Sequence, residues 1–334
     1  MWRPEFTLNR QEALSGAVRT EASQRKMQIA VRRGSAIVWA VLRFFLIFGL
    51  SFIIVYPLLY MLSVSFREPS ELFDPTVVWI PKSFTLENIR YVLEVIDYPK
   101  AVGKTLSIAL SCSLVQTLTC AIAGYGFARF RFRGRGLLFT LALFTLIVPP
   151  QTITMPLYIN YVDFTAWTAE LSGGSGIPML DTILPLFLPA LFGQGVKSAI
   201  FILVFYQYFS SYPKALDEAA EIDGAGKVRL FLKIALPMAS GAVVLSLLFS
   251  FVWYWNETYQ SNIMFGSVIQ TLPLRLQSFT LQYEAIYGAD AAGSISESVV
   301  LAGTVLSVLP ILLLYVLLQR QFVESIEQAG ITGE

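Results

Sequence analysis

Histidine is absent from this 334-residue chain, and the only cysteines are Cys112 and Cys120. The first absence removes every device that needs imidazole: Ser-His-Asp triads, histidine metal sites and histidine proton relays. The second rules out a disulfide framework. Eight residues along a helix separate the two thiols by about 12 Å, too far for a bond between them, so they read as small buried apolar side chains. Charge is scarce as well. Charged residues make up 14% of the chain, against about 25% in a soluble domain. The net charge of +1 gives no pull toward nucleic acid.

What remains is apolar. Hydrophobic residues are 55% of the chain and the mean hydropathy is +0.61. Charges gather in blocks and leave uncharged windows near the 20 residues that cross a bilayer core. An all-α polytopic membrane protein follows, with about six crossings: 44–65, 105–128, 136–160, 198–212, 237–256 and 298–318. Pro149-Pro150 should kink or break the third. An apolar piece at 182–192, cut off by Gly193-Gln194-Gly195, precedes the fourth. It reads either as a separate half-helix or as the start of one long bent helix. No Asp or Glu falls inside these segments, and Lys197 falls at a boundary.

Basic residues divide 17 to 7 between the two sides that these crossings define. The short loop with Arg129, Arg131, Arg133 and Arg135 holds no acid. The positive-inside rule then puts both termini in the cytoplasm. The expected organisation is a basic cytoplasmic tail at 1–43, a transmembrane domain at 44–319 and a short cytoplasmic tail at 320–334. The tail at 1–43 lacks an evident cleavage site and does not read as a secretory signal.

One cytoplasmic segment, 213–236, is unlike its surroundings. Pro213 suits the first turn of a helix ending near Asp223. Leu216, Ala219 and Ala220 fall on one of its faces. Gly224-Ala225-Gly226 offers a bend. Val228, Phe231, Leu232 and Ala235 then follow the spacing of an amphipathic helix. On pattern alone this is an amphipathic connector.

The spacing says more. Glu218-Ala219-Ala220, then Gly224, then Ile234-Ala235-Leu236-Pro237 resembles the EAA motif of bacterial ABC-importer permeases. MLSVSFREPSELF, AGYGFARFRFRGR, VPPQTITMPLYI, SFVWYWNET and LLQRQFVESIEQAGITG resemble its carbohydrate-uptake branch, and within it the second, maltose-transporter-type permease. The tail at 1–43 and a loop at 161–181 are longer than the family pattern. The resemblance implies a type I importer permease fold in a bacterial or archaeal cytoplasmic membrane. It also implies a coupling helix whose Glu218, Ala219, Ala220, Asp223 and Gly224 serve a cytoplasmic ATPase subunit, with the first three facing its docking groove.

Two ATPase copies, a second permease subunit and an extracytoplasmic binding protein complete the implied complex. The chain itself would bind no cofactor, ATP and Mg being used by the partner ATPase. Gly103-Lys104-Thr105 ends like a P-loop, but the first glycine that the motif requires would stand at position 98, which is Tyr98.

Substrate residues are less defined. Trp253, Trp255, Asn256, Glu257 and Tyr259 crowd the end of the fifth crossing. They suit an interfacial aromatic belt, or a path where sugar rings stack and hydroxyls hydrogen-bond, or both. The outer loop at 258–297 would touch the binding protein. An ion-coupled secondary transporter of a small polar solute is the alternative, and a copurifying ATPase separates the two.

Overall fold

The computed structural model describes residues 36–77, 79–288 and 297–331, with side chains described as far as 320. The chain divides into two units, Met1–Met61 and Leu62–Glu334. Residues 1–35 and 332–334, which make up most of the expected N-terminal tail and the end of the C-terminal one, lie outside the described residues.

Helix α1, Ala36–Ser65, is apolar through most of its length, and none of its most hydropathic part is buried. It is already helical eight residues before the expected crossing, because Ala36, Ile37, Val38, Trp39, Val41 and Leu42 extend the apolar run with no helix breaker. The next segment, 66–86, is an ordered connection. Asn88 Nδ2 donates to the carbonyls of Ser65 (3.0 Å) and Arg67 (2.8 Å), pinning the end of α1's last turn. Glu71 accepts from the backbone N–H groups of Lys82 and Ser83. A single bridge, Arg67 with Phe84, is the only extended pairing among the described residues.

After α2, Glu87–Val95, comes the central helix α3, Tyr98–Arg129. Its two faces are sharply different. The buried face carries Thr105, Cys112, Ser113, Gln116, Thr117, Cys120 and Gly124. Leu106, Leu110, Leu114, Leu118 and Ile122, spaced four apart, are exposed. Small and polar side chains inside with leucine outside is the pattern that helix packing in lipid favours, since leucine gains little by leaving hydrocarbon.

Helix α4, Arg135–Phe144, and helix α5, Pro150–Ser172, replace the expected third crossing. The break falls before Pro150, as the proline pair requires. Helix α5 continues through 161–172, so the expected loop at 161–181 is half helix, ending at Gly173 with φ +64°. Helix α6, Leu184–Leu191, and α7, Ser198–Ser211, are separate, which settles the half-helix alternative for 182–192.

Helices α8, Lys214–Ile222, and α9, Lys227–Leu230, lead through a π turn at Phe231–Ala235 and a single turn at Leu236–Met238 into α10, Ser240–Trp255. The chain bends by 79° before α10. Short helices α11, Tyr259–Met264, α12, Leu272–Gln277, and α13, Phe279–Tyr287, follow. The last helix, α14, Glu297–Ile331, runs well past the expected end of the sixth crossing, into the segment read as a tail.

Among the described residues, three helices are long and apolar enough to span a membrane, or four if the bent pair counts as one. The six crossings expected from hydropathy are therefore not six unbroken helices. The proline pair divides the third, the fifth is interrupted at Ala239, and the fourth is the single short helix α7.

Helix α3 packs against α7 and α10. A Cβ at Gly124 would lie 2.5 Å from the Phe205 Cβ and 2.9 Å from the Tyr206 backbone nitrogen, so glycine is what lets α3 approach α7 so closely. One apolar cluster gathers around Phe251, Tyr254, Trp255, Met264 and Phe265. A second gathers around Tyr125, Phe205, Phe209 and Phe231. Cys112 and Cys120 are buried free thiols, as their spacing implied.

Candidate functional site

The segment at 213–236 folds as two short helices joined by a tight elbow. Pro213 caps α8 with extended backbone, suiting its fixed φ and missing N–H. The exit is a Schellman turn: the N–H of Ala225 donates to the Ala220 carbonyl (2.9 Å) and that of Gly224 to Glu221 (3.0 Å). Gly224 takes φ +79°, a left-handed conformation that a side chain resists. Lys227 pairs with Glu221 across the elbow.

Glu218, Ala219, Asp223 and Gly224 are all exposed. Ala220 is not. It is 8% exposed and belongs to the cluster with Phe231 and Tyr125, so it packs within this chain. The expectation that Ala220 faces a partner's groove together with Glu218 and Ala219 is corrected. The face expected beyond the elbow is also revised. Val228 and Leu232 are exposed, whereas Leu230, Phe231 and Ala235 are buried. The π turn widens the helical repeat there, which rotates the buried stripe off the regular i, i+3, i+4, i+7 spacing.

What holds α8 in place is a contact with the end of α3. Arg129, the last residue of α3, reaches Asp217 of α8, its Nε 3.3 Å from Oδ2 without the alignment of a hydrogen bond. Arg129 also donates to the Tyr212 carbonyl at 2.8 Å, and its guanidinium lies 3.7 Å from the centre of the Tyr212 ring. The Tyr212 hydroxyl donates to Asp217. Both charged side chains are largely shielded, 6% and 16% exposed, so their attraction is only partly screened by water. The three residues form one latch between α3 and α8. Asp217 adjoins Glu218 and belongs to the same charged block, but nothing local marks it as the partner of Arg129.

Deeper in the helices lies a neutral counterpart. Gln116 Nε2 donates to the Val196 carbonyl at 2.8 Å. The Tyr254 hydroxyl donates to Gln116 Oε1 and accepts from the Val196 N–H at 3.3 Å. The irregular stretch between α6 and α7 is thereby fastened to α3 and α10, with both the N–H and the carbonyl of Val196 partnered. A side chain at Gly195 would overlap both the Tyr254 hydroxyl and the Gln116 amide. Thr119 Oγ1 adds a bond to the Ala190 carbonyl at 2.8 Å.

The aromatic group at the end of α10 is not one surface. Trp255 is buried, 2% exposed, near Phe251. Trp253 is half-buried, its ring 5.1 Å from that of Phe201, with the Lys197 ammonium 4.6 Å above its centre. Asn256 is exposed and its Nδ2 donates to the Val252 carbonyl at 2.9 Å. Glu257 caps α11, accepting from the N–H groups of Gln260 and Ser261 at 2.8 Å each and from Ser261 Oγ at 2.7 Å. Tyr259 is 43% exposed. Helical geometry thus sends these residues to different surroundings. Gly103-Lys104-Thr105 lies inside α3, where Thr105 Oγ1 accepts from the Leu272 N–H at 2.8 Å and Lys104 donates to the Val268 carbonyl.

A family model for the inner membrane component of binding-protein-dependent transport systems matches residues 118–328. The chain belongs to this family. The matched region contains both Arg129 and the whole elbow. It is a family of transport permeases, not of catalysts, and the helical fold agrees with it. The permease is 27% identical over 293 residues to the arabinooligosaccharides transport system permease protein AraQ of Halalkalibacterium halodurans, covering 85% of this chain and 93% of that protein. It is 29% identical over 290 residues to the maltodextrin transport system permease protein MdxG of Bacillus subtilis, with the same two coverages, 85% and 93%. Its fold matches a chain in the crystal structure of a bacterial ABC transporter involved in the import of the acidic polysaccharide alginate. There the TM-score is 0.68 at 21% identity, over 86% of this chain and 98% of that one.

Proposed function

We propose that this permease forms half of the translocation pathway of an ATP-driven importer for a sugar, oligosaccharide or sugar-like solute, and that α8 is the element an ATPase subunit pushes. One observation carries the reading. A short helix with an exposed Glu218-Ala219 edge is bounded by a fixed elbow at Gly224 and clamped by Asp217 to the end of α3. A connector would need no such clamp. A force transmitter does, because a load on α8 then passes into α3 instead of bending a loop.

In this reading the second permease subunit supplies the other half of the path, and two ATPase copies bind and hydrolyse ATP with Mg. A binding protein delivers the solute to the side opposite α8, and both termini lie on the α8 side with the basic residues. The carbohydrate class rests on the names of relatives that align over most of their length, the arabinooligosaccharide and maltodextrin permeases.

Two substitutions test the coupling role. Glu218→Lys reverses charge on the exposed edge, and Gly224→Pro forces φ to about −65° where the chain holds +79°. Both should abolish uptake by the assembled complex while the chain remains inserted in the membrane. Parent-level uptake in both variants would reduce α8 to a connector. Screening sugars for stimulation of the purified complex's ATPase tests the substrate class.

A further inference from the structure

Among the described residues, Lys197 is an exposed charge between two apolar helices with no ion pair. Two helical rulers give its depth. Val196 is bonded to Gln116, and Gln116 lies roughly 20 Å along α3 from Arg129 at 1.5 Å per residue. Val196 is also bonded to Tyr254, which lies roughly 20 Å along α10 from Ser240. Both Arg129 and Ser240 stand at the end of the bundle that carries α8. A hydrocarbon core is about 30 Å thick, so a core whose edge lies level with Arg129 and Ser240 takes in Lys197.

A lysine at that depth facing lipid is costly, and such residues face water-filled paths or bound ions instead. Lys197 is exposed on this chain and makes no ion pair with the described residues. It holds φ +53° directly before the first turn of α7, a conformation that costs energy for a residue with a side chain. The ammonium rests over the indole of Trp253, a contact weaker than an ion pair. The helix N-terminus that starts at Ser198 adds partial positive charge at the same place.

The geometry points to Lys197 and Trp253 as a binding site in the translocation path for the carboxylate of an acidic sugar, such as a uronic acid residue in an oligosaccharide. This rests on the carbohydrate-importer reading above. A transported anion must be held and then released. Trp253 suits that cycle by holding the ammonium while the path is empty and offering a flat apolar face to the sugar ring when the ammonium turns to the carboxylate. A permanent carboxylate partner on the second permease would fill the same space, and the experiment separates it.

The complete complex with its binding protein is reconstituted in vesicles, and uptake of a neutral oligosaccharide is compared with that of a uronate-containing one of equal length. The parent should take up the uronate. Lys197→Met should lose tenfold or more of that uptake, and Lys197→Arg should keep most of it, with basal ATPase and subunit stoichiometry unchanged in both. The inference is overturned if the parent transports only the neutral sugar, or if Lys197→Met transports the uronate at the parent rate. It is also overturned if Lys197→Met loses the second permease, which would reveal an ion pair between subunits. A parent complex that moves no sugar of either kind would instead remove the carbohydrate reading itself.

Discussion

Helix α3 is tied to its neighbours by two polar knots of opposite character. At its end, Arg129 meets Asp217 and Tyr212 with full charges. Well inside, Gln116 meets Tyr254 and the backbone of Val196 with none. The difference follows the solvent. A full charge costs least near a surface, where residual water and dipoles can offset desolvation, and most in the middle of an apolar bundle. A neutral amide can be satisfied inside by hydrogen bonds alone. The two knots therefore suit different tasks, the ionic one fastening a helix near the polar end and the neutral one fixing an irregular backbone in the interior.

Breaking the ionic knot on one side should have the larger effect. Arg129→Met leaves the largely shielded Asp217 carboxylate without its cation, and breaking a fully buried pair in this way costs about 3–5 kcal/mol, an upper bound here. The purified chain should melt measurably earlier, and uptake should fall with it. The double variant Arg129→Met, Asp217→Leu removes both charges and should recover much of that stability, because apolar replacements of buried pairs are often neutral. Recovery of stability without recovery of uptake would show that the latch transmits force as well as holding the fold. A double variant as unstable as the single one would show that the pair is not the source of the cost.

Breaking the neutral knot should cost less per group. Gln116→Leu strands the Val196 carbonyl and the Tyr254 hydroxyl, on the order of 1–3 kcal/mol for each unsatisfied group. Hydrogen exchange should rise at 192–197 and stay at the parent level at α8. Equal loosening at both places would mean that the knots are one cooperative unit.

The smallest effect belongs to an ion pair nearer the solvent. Lys82 lies 2.6 Å from Asp74 and, with Thr76, holds the Asp74 carboxyl well below the usual carboxylate range. A depressed carboxyl stabilises the fold above its ordinary unfolded pKa of about 4, and this contribution fades as pH falls through the folded value. Protection of the Thr76 amide, which donates to Asp74 at 2.9 Å, should drop as the solution becomes strongly acidic. Asp74→Asn should flatten that pH dependence and leave the melting temperature near that of the parent, since exposed pairs contribute little.

What the sequence made legible was local. Pro149-Pro150 announced the break before α5, Pro213 the start of α8, and Gly224 its end, because each acts through its own backbone. The apolar runs announced α3, α10 and α14. Both knots were illegible for the same physical reason. Arg129 and Asp217, or Gln116 and Tyr254, meet across long stretches of chain, and no periodicity records which polar residue inside a helix finds which partner. The rotated stripe at 230–235 was missed because one π turn changes the repeat. The capping of α11 by Glu257 was not legible, because a capping carboxylate and a binding carboxylate have the same local composition.

Contact between α8 and an ATPase subunit, as proposed above, can be tested by crosslinking. A chain with Cys112→Ala, Cys120→Ala and a single cysteine at Glu218→Cys can be assembled with its partners and treated with a short thiol-to-amine crosslinker. The account predicts one adduct, between this chain and the ATPase subunit, absent when the cysteine is placed instead at the buried Ala220. Efficient crosslinking from position 220, or none from position 218 in a complex that still transports, would contradict it.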